Sequence, residues 1–380
     1  MRFSRNATGV LIGAVIVVVV FTAIASNRLF GGLTASIEDS QFQLMRSILE
    51  FNLRGAEGRA LARAAMIADL ATTRQALATR DRPRLLTEYG DLFRVQREQY
   101  GMDQLNFQVP PAVTVARLQS PDQHGDDVSS FRAMVVAVNQ SHVSRKGLEI
   151  ARSGPAVFGT VPVVDAQRRH VGTVEVGMNI GTVLDALKAA YGFEMALYIE
   201  ERPLREFATS LRGDVLGDQN RFGRYLRFHS THSALMQRLV TGANLASVEA
   251  PTQYTRDALG VPYGVLLVPL RDAMGRPLGV MAMAQDFRGS RAAAGRSLVW
   301  QALLALFGIV LLSGVVLVVV RGLLLRPLAA VTDAFAALAG GDRARKVEDP
   351  EALCEELQTL AGYHETLRAQ AARGDDGGAP

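Results

Sequence analysis

The sequence predicts an α+β domain carried between two transmembrane helices and followed by a short helical segment. Two apolar runs without a charged residue, 8–26 and 298–320, are each long enough to cross a bilayer core of about 30 Å. The polar segment between these runs begins with a helical pattern. It then changes to short β-branched runs separated by glycine, proline and aspartate, which is typical of strands joined by tight turns.

Composition excludes several classes of protein. The 380 residues include 41 Lys and Arg against 37 Asp and Glu, and they form no dense basic tract of the kind that binds nucleic acid. The one cysteine, Cys354, follows the second apolar run, so a disulfide within the chain is impossible. The length of the chain is sufficient for two cores of about 100 to 150 residues each.

The first apolar run has two interpretations. Arg2 and Arg5 precede it, and Ala23-Ile24-Ala25 offers a small-residue cleavage pattern, as in a secretory signal peptide. Its 19 uncharged residues exceed the usual apolar region of a signal peptide, and this favours a retained span. The second run has 23 uncharged residues, and we expect it to cross the membrane.

Basic residues predict the orientation of the two spans. They precede the first span and follow the second, so the positive-inside rule places both termini in the cytoplasm and the central segment outside. Arginines on the outer flank of the second span do not overturn this orientation, because long loops translocate largely regardless of charge. The inner residues are Arg2, Arg5, Arg321, Arg326, Arg343, Arg345 and Lys346, and the outer ones are Arg288, Arg291 and Arg296.

The outer segment is predicted to start with a long helix and to continue as a duplication. Residues 34–53 and 60–77 carry apolar residues at helical spacing, with local weakening at Gly55 and Gly58 between them. Further on, Val161–Asp165 matches Val268–Asp272, and in each copy an apolar residue followed by glycine comes downstream, at a constant offset of 107 positions. Each copy has the pattern of an antiparallel hairpin, so we expect two related modules. The alternative is a chance likeness between two hairpins.

With these features the outer segment, over roughly residues 30–290, resembles the double-Cache class of bacterial sensor domains. That resemblance implies two PAS-like modules on a long N-terminal helix, lying in the periplasm of an inner-membrane protein. It also implies a ligand pocket in the membrane-distal module. The stretches that carry the resemblance are Arg117-Leu118, Gly125–Arg132, Gly147–Ile150, Val161–Val163 and Gly172–Glu175.

Two residues limit what such a pocket is expected to bind. The chain has Phe158 where this class is expected to carry an arginine, so we expect no carboxylate binding at that position. The branch that binds amino acids uses an aromatic box that includes a tryptophan. The sole tryptophan here, Trp300, lies in the second apolar run, so recognition of amino acids in that manner is not expected.

Five charged residues of the first module are the candidate ligand-binding residues. The carboxylates among them could receive a cationic ligand, and the arginines could clamp an anionic one. Alternatively, the five charges pair with one another and fix the loop around Gly125. The candidates are Arg117, Asp126, Arg132, Glu149 and Glu175.

The segment after the second run is predicted to form two helices. Apolar residues step by three or four positions from Leu328 to Leu338 and again from Leu353 to Leu367, and Gly340-Gly341-Asp342 separates the two stripes. Seams this narrow on short helices cannot be buried within one chain. We therefore expect two copies of the chain to form a four-helix bundle.

This segment resembles a HAMP signal-transfer domain, which couples transmembrane spans to output domains. It departs from that family at Gln358, where glycine is usual, and at His364, where an apolar residue is usual. At a seam position His364 is either a tolerated polar residue or a pH-sensing one. The residues that match the family are Pro327, Glu355, Glu356, Leu357 and Leu360.

No sequence feature supports catalysis, a metal site or a cofactor. His229 and His232 form a His-x-x-His pair, but no glutamate lies between them in the manner of a metalloprotease. A phosphoacceptor helix, an ATP-binding motif and a cyclase signature are not recognisable after the HAMP-like segment. We therefore expect a non-enzymatic receptor that binds a small ligand and acts, as in chemotaxis, through a kinase, cyclase or receptor supplied separately.

Two other interpretations remain open. The outer modules could bind another protein in a structural or assembly role, with dimerisation as the only task of the HAMP-like segment, or the chain could be a remnant that lost its output domain. The predicted division is 1–7 cytoplasmic N-terminus, 8–26 first span, 27–190 long helix with membrane-distal module, 191–297 membrane-proximal module, 298–320 second span, 321–369 HAMP and 370–380 disordered tail.

Overall fold

A computed structural model describes most of the chain as two compact units. One unit comprises Met1–Ala35 with Arg291–Pro380, and the other is Ser36–Ser290. Cys354 and Arg343 lie outside the described residues, as does Leu353 of the predicted seam. The described residues are 2–211, 213–342, 344–347, 350 and 355–375.

Helices lie at both ends of the chain and between the strands. Two short non-α turns accompany them, a 3₁₀ turn at Asp218–Asn220 and a π-helical turn at Val320–Leu325. The helices are α1 (Arg2–Asp69), α2 (Ala71–Thr79), α3 (Arg82–Tyr100), α4 (Ala133–Ser141), α5 (Ile180–Tyr191), α6 (Glu201–Phe207), α7 (Ser233–Leu239), α8 (Gly242–Ala246), α9 (Arg288–Val319), α10 (Arg326–Ala339) and α11 (Glu355–Asp375).

The strands form two antiparallel sheets, which we call the first and the second module sheet. Their strands are β1 (Met102–Val109), β2 (Val113–Arg117), β3 (Arg145–Ala151), β4 (Gly154–Val164), β5 (His170–Asn179), β6 (Glu194–Glu200), β7 (Arg221–Phe222), β8 (Tyr225–Ser230), β9 (Thr252–Ala258), β10 (Val261–Arg271) and β11 (Pro277–Asp286). The strand order is β2-β1-β5-β4-β3 in the first sheet and β7-β8-β6-β11-β10-β9 in the second.

The predicted long helix is α1, and it passes through Gly55 and Gly58 without the expected weakening. It ends at Asp69, earlier than predicted, because Leu70 has an extended backbone that separates it from α2. Part of α1 lies directly on β4. A Cβ atom added at Gly159 would stand 2.2 Å from the backbone nitrogen of Leu61, so glycine is required for this close approach.

The predicted hairpins are present, and they repeat at the predicted offset. The four ends of β10 and β11 each lie 107 positions after the corresponding ends of β4 and β5. Both hairpins are antiparallel, with a shift of register at the turn, between Val163 and Val164 in one and between Leu270 and Arg271 in the other. The two hairpins therefore share both their length and the position of the register shift, which supports duplication over a chance likeness.

The same aspartate closes both turns. In the first hairpin Asp165 accepts a backbone hydrogen bond and a 2.8 Å side-chain hydrogen bond from Arg169. In the second hairpin Asp272 accepts the same two bonds from Arg276, the latter at 2.7 Å. Each carboxylate satisfies the backbone N–H groups of its turn, as is usual for aspartate at such positions.

Among the described residues, one helical segment, Val299–Ala339, is long and apolar enough to cross a membrane, judged by length and composition. It includes almost all of the predicted second span and continues through the π-helical turn into α10. The apolar stretch Ile12–Ser26 of the first predicted span is shorter than that test requires. The first span therefore stays a prediction.

In the HAMP-like segment α10 packs on α11. Pro327 lies in the first turn of α10, as predicted, and Glu355 and Glu356 lie in the first turn of α11. The expectation that no seam is buried within one chain is wrong in part. Val331 and His364 are buried, and His364 Nε2 donates a 3.0 Å hydrogen bond to the carbonyl oxygen of Ala334.

The rest of the seam divides between buried and exposed residues. Leu357 is buried, whereas Leu328, Leu360 and Leu367 are exposed. Helix α11 reaches Asp375, so it includes part of the segment predicted to be a disordered tail.

Candidate ligand-binding site

A polar cleft lies on one face of the first module sheet. Strand β1 is buried on both faces, with Leu105 and Phe107 towards the apolar core and Gln104, Asn106 and Gln108 towards the cleft. The cleft has a volume of about 60 Å³. It is lined by Gln104, Asn106, Gln108, Arg117, Gln119, Ser120, Gln123, Val128, Phe131, Arg132, Ala151, Arg152, Ser153, Glu175 and Ser210.

The five predicted residues form two charged clusters, and Arg117, Arg132 and Glu175 of these clusters line the cleft. In the first cluster Arg117, at the end of β2, donates two hydrogen bonds of 2.7 and 2.8 Å to the two carboxylate oxygens of Asp126. Arg152, in the turn between β3 and β4, adds a third at 2.7 Å. Arg117 also donates to the carbonyl oxygen of Gln123 at 2.8 Å, and the Gly125 N–H donates to the carbonyl oxygen of Thr114 at 2.8 Å, so both contacts tie the loop around Gly125 to β2.

These contacts keep Asp126 ionised. Burial alone would raise the pKa of the Asp126 carboxyl group, but the hydrogen bonds and charges of Arg117 and Arg152 outweigh burial and lower that pKa to about 2. The first cluster therefore carries two positive charges against one negative charge at neutral pH.

The second cluster is built around Arg132, which immediately precedes α4. Its Nη2 donates to Glu175 Oε1 on β5 and lies 3.4 Å from Glu149 Oε2 on β3. The side chains of Arg132, Glu149 and Glu175 are 4%, 2% and 1% exposed, so this is a buried ion cluster. The guanidinium carbon lies 3.9 Å from the centre of the Phe158 ring, a cation–π contact. Phe158 stands at the position where an arginine was expected. Its ring packs against the guanidinium group of Arg132.

Strand register explains how Glu175 is held. Asn106 on β1 and Thr160 on β4 lie directly opposite Glu175. Asn106 Nδ2 donates to Glu175 Oε2 at 2.9 Å, and Thr160 Oγ1 donates to Glu175 Oε1 at 3.3 Å. Gln108 adds a bond of 3.2 Å to Oε2. Together with Arg132, four donors satisfy this buried carboxylate, as buried charge requires.

Glu149 is held less completely. Its Oε1 accepts a 2.8 Å hydrogen bond from the backbone N–H of Met134, while its Oε2 has no hydrogen-bond partner in the described part of the chain. Burial raises the pKa of Glu149 to about 7; Arg132 opposes the shift, and the negative charge of Glu175 adds to it. Glu149 therefore titrates near neutral pH.

A segment of the chain that follows the second module's first strand covers the cleft. Phe207, at the end of α6, stacks on Phe131 with ring centres 5.6 Å apart. The backbone N–H of Ser210 donates to the carbonyl oxygen of Arg152 at 2.8 Å, and Arg152 Nη1 lies 3.4 Å from Thr209 Oγ1. We call residues 207–210 the strap.

Sequence reasoning missed the strap, Arg152 and the polar face of β1. For β1 a signal was present, because Gln104, Asn106 and Gln108 alternate at the period of a strand. For the strap no local pattern points to contacts that join residues more than fifty positions apart.

The two histidines of the His-x-x-His pair belong to different elements. His229 lies on β8 and its Nε2 is 3.0 Å from Asp185 Oδ1, whereas His232 precedes the first turn of α7. Across the described residues no group of three or more His, Cys, Asp or Glu side chains is placed to hold a metal ion.

The chain is similar, at low sequence identity, to several sensor domains of known structure. The chain is 14% identical to an extracellular ligand-binding receptor from Desulfohalobium retbaense, over 64% of this chain and 40% of the receptor, with a TM-score of 0.36. It is 12% identical to the periplasmic domain of Vibrio cholerae LuxQ (66% and 99% covered, TM-score 0.37). It is 9% identical to the ligand-binding domain of the Campylobacter jejuni chemoreceptor Tlp3 in complex with L-valine (73% and 96% covered, TM-score 0.33).

All three TM-scores are below 0.5, so these likenesses do not assign the chain to a family. No curated protein matches the chain. The family model described as the double sensory domain of two-component sensor kinase matches residues 44–288, more than half of the chain. The chain therefore belongs to the dCache_3 family of double sensory domains.

Proposed function

We propose that the protein is a homodimeric membrane receptor that binds a small extracytoplasmic ligand in the polar cleft. It transmits binding through the second span and the HAMP-like segment to a separately encoded output protein. The observation that carries the proposal is the pair of charged clusters at the cleft, the partly buried Arg117 with Asp126 and the fully buried Arg132 with Glu175. Buried charges are costly to a fold unless they are matched, and their clustering in a cleft is typical of binding sites.

Transmission starts from contacts between the two modules. The backbone N–H of Ala273, in the β10–β11 turn, donates to the carbonyl oxygen of Leu148 on β3 at 2.9 Å. Glu149, which contacts Arg132, is the next residue on that strand. Strand β11 ends at Asp286, and α9 begins two residues later. A shift of the cleft residues would thus act on a hairpin that leads directly into the predicted second span.

The mechanism is a shift between two populated arrangements. A ligand biases such an equilibrium only by the difference between its affinities for the two states. A coupling free energy of about 1 to 3 kcal/mol between the cleft and the output is sufficient for a five- to 150-fold effect. In this proposal Pro327, Glu355, Glu356, Leu357 and Leu360 belong to the signal-transfer segment, and the domain boundaries are those given above.

An exposed stripe on α1 supports a homodimer. Ile37, Leu44 and Phe51 follow one another at intervals of seven residues and are 52%, 58% and 73% exposed. A seven-residue apolar repeat is the pattern with which helices pair. A second copy of the chain carries the same repeat on its own α1, and in the proposed dimer the two stripes pack against each other.

The family description favours a histidine kinase among the output partners considered. Two-component sensor kinases are the proteins in which this sensory domain is described. The proposed location is the inner membrane of a bacterium, with the modules in the periplasm, and no catalytic activity, cofactor or nucleic-acid contact is assigned to the chain.

The function is tested with the full chain in lipid nanodiscs. Thermal unfolding is measured against a panel of small organic acids, amines, amino acids and sugars, and binding of each hit is then measured by calorimetry. Saturable binding that is lost in Arg117→Gln and kept in the exposed control Arg94→Gln supports the cleft as a receptor site. A panel without any saturable hit contradicts the proposal and favours a role in binding another protein.

A further inference from the structure

Unpartnered donors border the cleft. Arg132 Nε and Nη1 and Arg152 Nε are buried, and they have no hydrogen-bond partner in the described part of the chain. Arg132 as a whole is 3% exposed, so bulk water does not solvate its two unpartnered groups, whereas the Arg152 side chain is 36% exposed. A buried N–H without a partner is destabilising, and its presence in a native cleft calls for a bound acceptor.

The carboxylate oxygens at the cleft are, in contrast, already used as acceptors. Both oxygens of Glu175 accept hydrogen bonds, from Arg132 and Thr160 on one side and from Asn106 and Gln108 on the other. The two oxygens of Asp126 accept from Arg117 and Arg152. The cleft therefore offers donors to a ligand, and a ligand that brings acceptors complements it.

The charged side chains at the cleft also favour a ligand that carries negative charge. Three arginines, Arg117, Arg132 and Arg152, line the cleft, against one lining carboxylate, Glu175. A ligand with a negative charge complements this lining, because guanidinium groups bind carboxylates with charge-assisted hydrogen bonds.

Glu149 is the remaining carboxylate of the network, and it does not line the cleft. The charged groups that face it are Arg132, Glu175 and Asp272, and Asp272 is paired with Arg276. Burial raises the pKa of Glu149 to about 7, so this carboxyl group accepts a proton readily when another negative charge approaches Arg132.

Size and shape narrow the class of anion. A volume of about 60 Å³ holds roughly four to six groups the size of a water molecule, at about 10 to 15 Å³ each. Phe131, Val128 and Ala151 form an apolar part of the lining. That part suits a short alkyl group better than the oxygens of an inorganic ion.

We propose that the cleft binds a small monocarboxylate of about four to six non-hydrogen atoms, whose carboxylate accepts from the free N–H groups of Arg132 and Arg152. Its short alkyl or acyl part lies against Phe131. This inference rests on the proposed receptor function and adds the chemical class of the ligand.

The test uses the full chain in nanodiscs and isothermal titration calorimetry at pH 7. The probes are acetate, propionate and pyruvate, and each is compared with its neutral amide, which has nearly the same shape. Methylammonium and nitrate serve as a cationic probe and an inorganic anion. We expect at least one monocarboxylate to bind saturably, and about tenfold or more tighter than its amide.

Arg152→Gln is the first variant, because Arg152 is partly exposed and Asp126 keeps Arg117 as an ion-pair partner without it. We expect it to weaken binding of the carboxylate about tenfold or more, whereas Arg94→Gln, which removes an exposed arginine of the same module, leaves binding unchanged. Arg132→Lys keeps the buried charge but lacks the guanidinium donors, and it should weaken binding as well. Thermal unfolding of each variant reports whether it is folded.

The outcomes separate the inference from the receptor function. Tighter binding of an amide, of methylammonium or of nitrate overturns the monocarboxylate and leaves a small-molecule receptor. Carboxylate binding that neither variant weakens places the site elsewhere and also overturns the inference. The absence of saturable binding by any compound of the broader panel contradicts the receptor function itself.

Discussion

The backbone N–H of Ser210 donates a 2.8 Å hydrogen bond to the carbonyl oxygen of Arg152, and this bond joins the strap to the turn that carries a cleft arginine. The strap follows β6 and α6 of the second module, whereas Arg152 lies between β3 and β4 of the first. The second module thus contributes Ser210 to the lining of the cleft in the first. A ligand beneath the strap would contact both modules at once.

Removing the aromatic side chain of the strap should weaken the contact between the strap and the first module. In Phe207→Ala the stack on Phe131 is lost, and stacked aromatic pairs are worth about 0.5 to 1.5 kcal/mol beyond the area they bury. We expect ligand affinity to fall about two- to tenfold, mainly through faster dissociation. Stopped-flow dissociation of a bound ligand measures this effect.

Tyr191→Ala is the matched control for the strap. It also removes one ring of a stacked pair, with Phe193, but at the end of α5 and outside the strap. Equal dissociation rates in Phe207→Ala and the unaltered protein would show that the strap does not retain the ligand.

The titration of Glu149 should make stability depend on pH. Its folded pKa of about 7 is raised above the value of 4.5 expected when unfolded, so the folded state binds more protons between these values. The contribution of Glu149 to the free energy of unfolding is then greatest below pH 4.5. This contribution falls as the pH rises towards 7, by roughly 3 kcal/mol at most.

Glu149→Gln removes this titration. We expect the variant to lose the fall in stability between pH 5 and 7, measured by chemical denaturation of the full chain at a series of pH values. Glu98→Gln, at an exposed position on α3, should keep it. A pH profile that is identical in Glu149→Gln and in the unaltered protein would exclude Glu149 as its source.

The duplicated turns provide a matched pair of variants. Asp165→Asn and Asp272→Asn each remove a carboxylate that accepts from an arginine four residues later, so both should lower the melting temperature. In the described part of the chain, the second turn also donates a hydrogen bond to β3, from the Ala273 N–H to the carbonyl oxygen of Leu148. We therefore expect Asp272→Asn to weaken ligand binding and Asp165→Asn to leave it unchanged. Equal effects of the two variants on binding would argue against coupling through this turn.

Dimerisation through α1 is tested at Phe51. A charge at the most exposed residue of the stripe, as in Phe51→Asp, should dissociate the dimer because an apolar helix contact does not accommodate an unpaired carboxylate. Sedimentation of the full chain in detergent measures the oligomeric state. Leu259→Asp, at a residue that is 76% exposed in the turn between β9 and β10, is the control. A Phe51→Asp variant that stays dimeric would exclude this stripe as the interface.

The sequence predicted those features that depend on local pattern. The hairpins were recognisable because Pro162 and Pro269, with the aspartates after them, recur at one offset, and the long helix because α1 keeps its apolar spacing. The break at Leu70 was missed, since it depends on backbone conformation within a sequence that favours helix. The five candidate residues were chosen from a resemblance to a family, but Arg152 and the strap depend on tertiary contacts that leave no periodic trace.

The central claim is that the cleft of the first module binds a small ligand and passes binding to the second module. Hydrogen–deuterium exchange of the full chain in nanodiscs, with and without the tightest compound from the screen, tests it most directly. The account predicts slower exchange in peptides that cover residues 117–132, 149–153 and 207–210, together with the turn at 272–276. Slower exchange confined to other segments, or no change at saturating ligand, would contradict it.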